Sequence, residues 1–526
     1  MAEEDSLVEY GARRAIITIT AILCTLLEIV DSTVVNVALN HMRGNLGATV
    51  NEIAWVITAY AIGNVIIIPM TSWLSVQFGR RNYFAASIIL FTVCSFLCGN
   101  ATSITELVAF RLIQGIGGGA LLATSQTIIT ETYPLSQRSL AQGIYGLGVI
   151  VGPTLGPPLG GYIVYHYSWP YIFYINIPLG IAATLLTLQY IRNPDYGQKK
   201  SGRGDVDYLG ILLLAGAIGC LQFVLERGQD DDWFADAAIT ICTVVSFFCF
   251  FFFIWREMIF REPIVNLRVL KNGNLRIGTL LTFILGFGLY GSTFIIPLYT
   301  QGTLGWTPEQ AGLLMIPSAL ATAVMMPIIG KVLQRGVKQQ YLVSAGMFSF
   351  FLFCFVSYKI LTNDTPQSAF FWILIVRGIG MGMLFVPITT LSLSTLHGPE
   401  IAQGVAFTGM MRQLGGSFGV ALISTFMARR DQLHRMDLVS KLNVNDPMVQ
   451  QRVLRLQHQL TAHGEPANIA LQKAWNSLDG LVMKQAGILS YMDVFLYLGL
   501  LFLACIPFIL MVRENKGQRG PAAGMH

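Results

Sequence analysis

The sequence predicts an all-α integral membrane protein with fourteen transmembrane helices, and three observations carry that prediction. Of 526 residues, 53% are hydrophobic and only 12% charged, a balance that ordinary soluble domains do not have. Apolar stretches of about 20 residues, the length that crosses a bilayer, recur fourteen times. They fall at 15–39, 51–72, 82–99, 105–127, 139–162, 170–191, 207–226, 235–255, 275–299, 310–330, 340–360, 368–392, 402–426 and 488–511. The basic residues alternate between the loops: with the N-terminus inside, the inner loops and tails hold 20 Lys and Arg against 3 in the short outer loops, Arg43, Arg227 and Lys359. That asymmetry is the positive-inside rule, and it places both termini in the cytoplasm; the chain is expected in the cell's inner membrane.

The first span is too long for a cleaved signal peptide, carries two acids and lacks a small-residue cleavage site, so it is expected to stay. The Asp230-Asp231-Asp232 run falls outside, as does the long loop 427–487 with its 8 basic residues. Loops of that length are exempt from the charge rule. The loop shows helical spacing at Val449, Val453, Leu456 and Leu460, broken by Pro447 and Pro466. The net charge of +5 is thereby a topology signal and points to no nucleic acid. All eight cysteines lie inside expected spans, where they serve as small apolar side chains, so neither a disulfide framework nor a metal site is expected. No nucleophile is paired with a buried base, and no histidine lies deep in a span. The chain therefore reads as no enzyme and needs no cofactor.

Chemistry is concentrated in span one. Glu28 and Asp31 are the two carboxylates buried deep in an apolar run, on one helix face and about 4.5 Å apart along the axis. Ionisable groups at that depth mark a proton, ion or substrate pathway. Arg111 of span four can lie at the depth of Asp31, since both sit roughly 10 Å in from the outer end of their spans. A neighbouring cation favours the ionised carboxylate while burial and a second acid oppose it, which makes a tunable proton site. Arg377 and Arg412 are the other arginines inside spans, and the Gly-rich segments beside them offer backbone carbonyls as one alternative to a substrate role. Met325-Met326, Met381 to Met383 and Met410-Met411 suit an adaptable apolar pocket.

The sequence also repeats. Gln114-Gly-Ile-Gly-Gly-Gly119 in span four returns as Arg377-Gly-Ile-Gly-Met-Gly382 in span twelve, and the loop Phe78-Gly79-Arg80-Arg81 has a looser counterpart at 330–340. Two six-helix halves are expected, at 1–192 and 270–526, with an inserted two-helix segment at 193–269. Such duplication is typical of secondary transporters with a midplane site. The glycine strings lie in apolar helices, where they permit close packing rather than dinucleotide binding.

Several motifs resemble a known family. Leu27-Glu28-Ile-Val-Asp31-Ser-Thr33-Val-Val-Asn36 is similar to the first-helix signature of the fourteen-span drug:proton antiporters of the major facilitator superfamily. Leu107-x-x-x-Arg111-x-x-Gln114-Gly115-x-Gly117 resembles the superfamily's fourth-helix motif. Gly148-x-x-x-Gly152-Pro153-x-x-Gly156-Pro157-x-x-Gly160-Gly161 resembles its antiporter motif. Trp55-Val-Ile-Thr58-Ala-Tyr60, Asn176-Ile-Pro178-Leu-Gly180 and Arg412-Gln413-Leu-Gly415-Gly416-Ser417 are most similar to EmrB-type multidrug exporters. The loop after span two departs from the superfamily pattern, with Val76 where an Asp usually precedes the Gly79-Arg80-Arg81 motif.

The resemblance implies the major facilitator fold and proton-coupled export of hydrophobic or amphipathic toxic compounds by alternating access. Asp31, Glu28 and Arg111 would couple protons. Asn36, Gln114, Arg377, Arg412 and Gln413 are the candidates for binding or gating small-molecule substrates. A periplasmic membrane-fusion adaptor is implied as a partner, docking on the 427–487 loop. Export of fatty acids or siderophores is the alternative within transport, and a membrane-bound binding or sensing protein without transport is the alternative outside it.

Overall fold

The computed structural model describes residues 7–194, 207–260, 263–443 and 445–511. Lys199, Lys200, Arg203, Arg261 and the basic C-terminal tail, all counted in the charge asymmetry, lie outside the described residues. The chain is all helical, with no strand among the described residues. In order the helices are α1 Gly11–Leu46, α2 Val50–Ile67, α3 Arg80–Gly99, α4 Ile104–Thr132, α5 Arg138–His166, α6 Asn176–Tyr190, α7 Tyr208–Arg227 and α8 Ala237–Ile259. There follow α9 Gly273–Gly302, α10 Pro308–Gln334, α11 Gln339–Ile360, α12 Gln367–Leu393, α13 Pro399–Ser440, α14 Pro447–Ala462 and α15 Ala467–Met511. A tight turn at Ile68–Met70 carries α2 on into Thr71–Phe78.

Thirteen of these, all but α13 and α14, are long and apolar enough to cross a membrane. The remaining expected span, 402–426, lies within α13, where Gln403, Arg412, Gln413 and a run of glycines dilute the hydropathy. That helix is polar because protein, not lipid, covers it. The backbone of Gly286 in α9 rests on the Arg412 carbonyl, and Gly415 rests on the Phe283 carbonyl, so α9 and α13 lie almost in contact. Without side chains at those crossings, dispersion and backbone contact replace the hydrophobic drive that lipid abolishes.

The largest departure from the sequence expectation lies outside the spans. The outer segment 427–487 is helical over most of its length: the spacing from Val449 to Leu460 falls within α14, and beyond that expectation α13 continues to Ser440 and α15 begins at Ala467, so both helices project beyond the membrane with α14 between them. At 1.5 Å per residue, α13 is about 63 Å long, roughly twice the hydrocarbon thickness. Nothing in 427–440 stops a helix, and ion pairs brace the projection. Arg430 and His434 both reach Asp493, and Arg435 reaches Asp479. The two prolines act as boundaries, Pro447 opening α14 and Pro466 standing just before α15.

The remaining helices pack through glycines. Gly148, Gly152, Gly156 and Gly160 of α5 form one stripe along α1, facing Thr25, Ile29, Thr33 and Val34 in turn. Despite Pro153, Pro157 and Pro158, α5 runs as one helix. Its other side pairs with α10 along its length, Gly143 against the Met326 carbonyl and Pro157-Pro158 against Gly312. The helices α7 and α8 pack on each other, and α7 leans on α2 and α13. Gln222 of α7 donates to Ser417 of α13 at 2.9 Å.

On the face carrying the N-terminus, the two sets of helices are sealed together. One apolar cluster joins Ile67 at the end of α2, Met70 just after it, Ala123 of α4, Leu275 of α9, Leu393 of α12, and Val405 and Phe407 of α13. Ser139 adds a hydrogen bond to the Gly330 carbonyl at 3.0 Å.

The glycine stripe sets a stability test. A methyl group at Gly156 would run into the Thr33 hydroxyl, whereas one at Gly161 meets nothing within 4 Å. Gly156→Ala is expected to lower stability by about 1–3 kcal/mol through overpacking, and Gly161→Ala to change it little. Thermal unfolding of the two purified variants in detergent checks this, and equal melting temperatures would exclude the contact.

Candidate functional site

Asp31 sits in the middle of α1 with its side chain sealed from solvent. Arg111 of α4 donates from Nη1 to its Oδ2 at 2.6 Å. The other carboxylate oxygen accepts from Asn176 Nδ2 of α6 at 2.7 Å and from Gln114 Nε2 of α4 at 3.2 Å. The cation is equally well held. Its Nη1 also donates to Gln114 Oε1 at 2.8 Å, its Nε donates to the Val56 carbonyl at 3.3 Å, and its guanidinium lies 4.0 Å from the centre of the Tyr60 ring. Asn176 is fixed in turn by Ser95 of α3 at 3.0 Å. One carboxylate thus ties together α1, α4 and α6, with α2 and α3 in support.

Glycine is what allows this geometry. The backbones of Gly115 and Gly119 lie on the carbonyls of Tyr60 and Asn64, bringing α4 against α2, and Arg111 and Gln114 project from the same stretch toward α1. A side chain at Gly118 would strike the Tyr60 hydroxyl and the Glu28 stem. The glycine string therefore packs helices, as expected, and it does so around the charged cluster.

Glu28 does not join Asp31's hydrogen bonds. Its Oε1 accepts from Asn64 Nδ2 at 2.8 Å and from the Tyr60 hydroxyl at 3.4 Å, and its Oε2 is buried with no partner. Tyr60 connects the two acids, its ring beneath Arg111 and its hydroxyl at Glu28. Asn36 stands exposed on α1, apart from this cluster.

The arginines of the second set differ sharply from each other. Arg377 of α12 is satisfied by the hydroxyls of Ser292, Ser318 and Thr293 and by the Leu289 carbonyl, bracing α12 against α9 and α10. Arg412 of α13 is 2% exposed, lies 5.6 Å from the Phe385 ring, and its Nη2 has no partner. The carbonyl bonding that the glycine-rich segments offered belongs in part to Arg377 and not to this guanidinium. Gln413 accepts from the Tyr290 hydroxyl at 3.4 Å.

In the loop after α2, Gly79 takes a φ of +79°, a left-handed value that glycine adopts without strain. Arg80 then forms a buried, two-pronged ion pair with Glu131 at the end of α4. Arg81 bonds Asn193 through its backbone N–H at 2.9 Å and the Leu188 carbonyl through its side chain. With Val76 in place of a carboxylate, the Arg80–Glu131 pair is what locks the loop, and it does so within the first set of helices.

Sequence reasoning named Asp31, Glu28, Arg111 and Gln114 but passed over Asn64, Ser95 and Asn176 as site residues. Each is a polar side chain inside an apolar run, the same signal that singled out the acids. An uncharged amide gives that signal more faintly.

Three comparisons bear on this site. Residues 21–420 match the Major Facilitator Superfamily model. The chain is 32% identical to the multidrug export protein EmrB of Escherichia coli strain K12, over 98% of both chains. It is also 32% identical to the fatty acid resistance protein FarB of Neisseria gonorrhoeae, over 96% of this chain and 97% of the relative. Among solved structures, a double tryptophan mutant of XylE superposes with a TM-score of 0.60 at 15% identity, covering 96% of this chain and 98% of the other. With its helices, its motifs and nearly all of its length in agreement, the chain belongs to the major facilitator superfamily.

Proposed function

We propose that this protein is a multidrug exporter that moves hydrophobic and amphipathic compounds out of the cell in exchange for protons, by alternating access between its two six-helix halves. The observation that carries the reading is Asp31, a carboxylate in the middle of a membrane helix held by Arg111, Gln114 and Asn176. Two buried opposite charges cost more to desolvate than an apolar pair of the same shape, so stability alone does not call for them. A carboxylate that must lose and regain a proton does. The full-length similarity to EmrB supports the export of drugs, and that to FarB supports fatty acids as a second substrate class.

The arrangement supports a cycle. The ion-paired Asp31 is the deprotonated state. A proton arriving from outside neutralises the carboxylate and frees Arg111. The helices α1, α4 and α6 then lose the contact that joins them, and the seal on the N-terminal face can open. Release of the proton inside restores the pair. Each net proton crossing 100 mV supplies about 2.3 kcal/mol, equivalent to about fifty-fold accumulation. In this reading the N-terminal face is cytoplasmic, and the protein resides in the inner membrane.

Asn in place of Asp31 keeps the shape and loses the titration. Asp31→Asn is expected to abolish substrate-driven proton release from proteoliposomes, measured with a trapped pH dye. Release at the original rate would show that Asp31 is not the carrier. Arg111→Lys retains charge but not the planar donors that reach both Asp31 and Gln114. It is expected to slow transport at least ten-fold and to shift its pH profile, as read by dye efflux between pH 5.5 and 8.5. An unchanged profile and rate would reduce Arg111 to a packing residue.

An adaptor partner also belongs to this reading. The projection formed by α13, α14 and α15 is the large surface outside the membrane on which it would dock. Shortening α14 and the adjoining ends is expected to spare dye efflux from liposomes and to abolish resistance in a double-membraned host. Full resistance with the shortened chain would place the partner elsewhere.

A further inference from the structure

The two sets of helices face each other across a pair of charges that do not meet. Arg412 of α13 and Glu28 of α1 are close enough to feel each other's charge. No ion pair joins them, and each keeps a buried polar atom, Arg412 Nη2 and Glu28 Oε2, without a hydrogen-bond partner. The contrast with the other membrane arginines is direct: Arg111 is neutralised by Asp31, and Arg377 has four oxygens around it. A buried guanidinium nitrogen left without a partner is costly unless something in the working cycle satisfies it.

The surroundings of Arg412 are apolar and aromatic. Phe385 lies at 5.6 Å, the Tyr145 hydroxyl is hydrogen-bonded to the guanidinium, and Tyr290 lies within reach of its charge. Tyr145 also packs on Phe385, and partly buried Met325 and Met383 border the same core. Gly416 gives Tyr290 room, since a side chain there would occupy the ring's position. A planar cation backed by aromatic and thioether walls is matched by a planar anion carried on an apolar body. Guanidinium binds carboxylate through two parallel hydrogen bonds, and methionines re-pack around tails of varied shape.

We infer that Arg412 is the headgroup site of this exporter for amphipathic carboxylates, with Phe385, Tyr145 and Tyr290 as walls for the apolar portion. This rests on the export reading for its purpose but concerns binding alone. Because Arg412 belongs to one set of helices and the walls to both, an anion seated there touches the two halves that must rock.

The test is equilibrium binding to the purified full-length protein at pH 7.5 without a proton gradient, using three ligands with one twelve-carbon tail: the carboxylate, the primary amide and the amine. Wild-type protein is expected to bind the carboxylate at least ten-fold more tightly than the amide, and the amide more tightly than the amine. Arg412→Gln is expected to erase the preference of carboxylate over amide, and Arg412→Lys to retain part of it. Equal wild-type affinity for carboxylate and amide overturns the inference without recourse to any variant. So does a preference that survives in Arg412→Gln. Because no proton moves in this assay, its failure leaves the Asp31 coupling experiment to decide the export reading separately.

Discussion

Hydrocarbon does not tolerate a lone charge, and the first set of helices is organised around one that has been made tolerable. Asp31 is surrounded by three donor side chains from α4 and α6, and Arg111 by acceptors and an aromatic face. For all of these to reach one carboxylate, α4 must lie against α2, which requires bare backbone at Gly115 and Gly119. It also requires α5 to lie against α1 through the stripe from Gly148 to Gly160. The glycines and the charges are therefore one device. In a membrane, where apolar side chains gain nothing by leaving lipid, close backbone contact and polar satisfaction are what hold helices in register.

In the proposed cycle a site of this kind has two states. Protonation would remove the attraction that joins three helices and leave an arginine in need of another partner. The apolar seal on the N-terminal face has no titrating group of its own among the residues named in it, so in the proposed cycle its opening would be driven from elsewhere. Asp31 is well placed to do so, being on α1, whose neighbour α5 pairs with α10 of the opposite set. The α5–α10 contact runs nearly the length of both helices and would serve as the axis of the proposed rocking motion.

Much of this was legible in the sequence, and the reasons are physical. A span announces itself because lipid imposes length and apolarity on it, so the thirteen apolar helices stand close to where hydropathy put them. The thirteenth span expected, inside α13, had a weaker signal because protein covers it, and Gln and Arg are admissible there. In the projection the spacing that marks α14 was legible, but the extensions of α13 and α15 were not, because helix continuation outside a membrane carries no hydropathy signature. The acids and Arg111 were conspicuous as charges in apolar runs. Asn64, Ser95 and Asn176 were not, since a buried amide or hydroxyl is cheap enough to occur for many reasons. No sequence pattern could have separated Arg377 from Arg412, because the difference lies in which side chains other helices bring to them.

That difference bears on how one scaffold can handle many compounds. Arg111 and Arg377 are enclosed by fixed partners and are poor places for a variable ligand, since any ligand would have to displace several hydrogen bonds. Arg412 and Glu28 each keep an unsatisfied atom, and they lie on opposite sets of helices. A compound entering between them meets a cationic pole, an anionic pole and a wall of aromatic and thioether surface. Apolar surface discriminates weakly, by factors set by area, whereas an unsatisfied buried charge discriminates strongly by the sign and geometry of its partner. Breadth of substrate range would then come from the walls, and whatever selectivity the exporter has from the two poles.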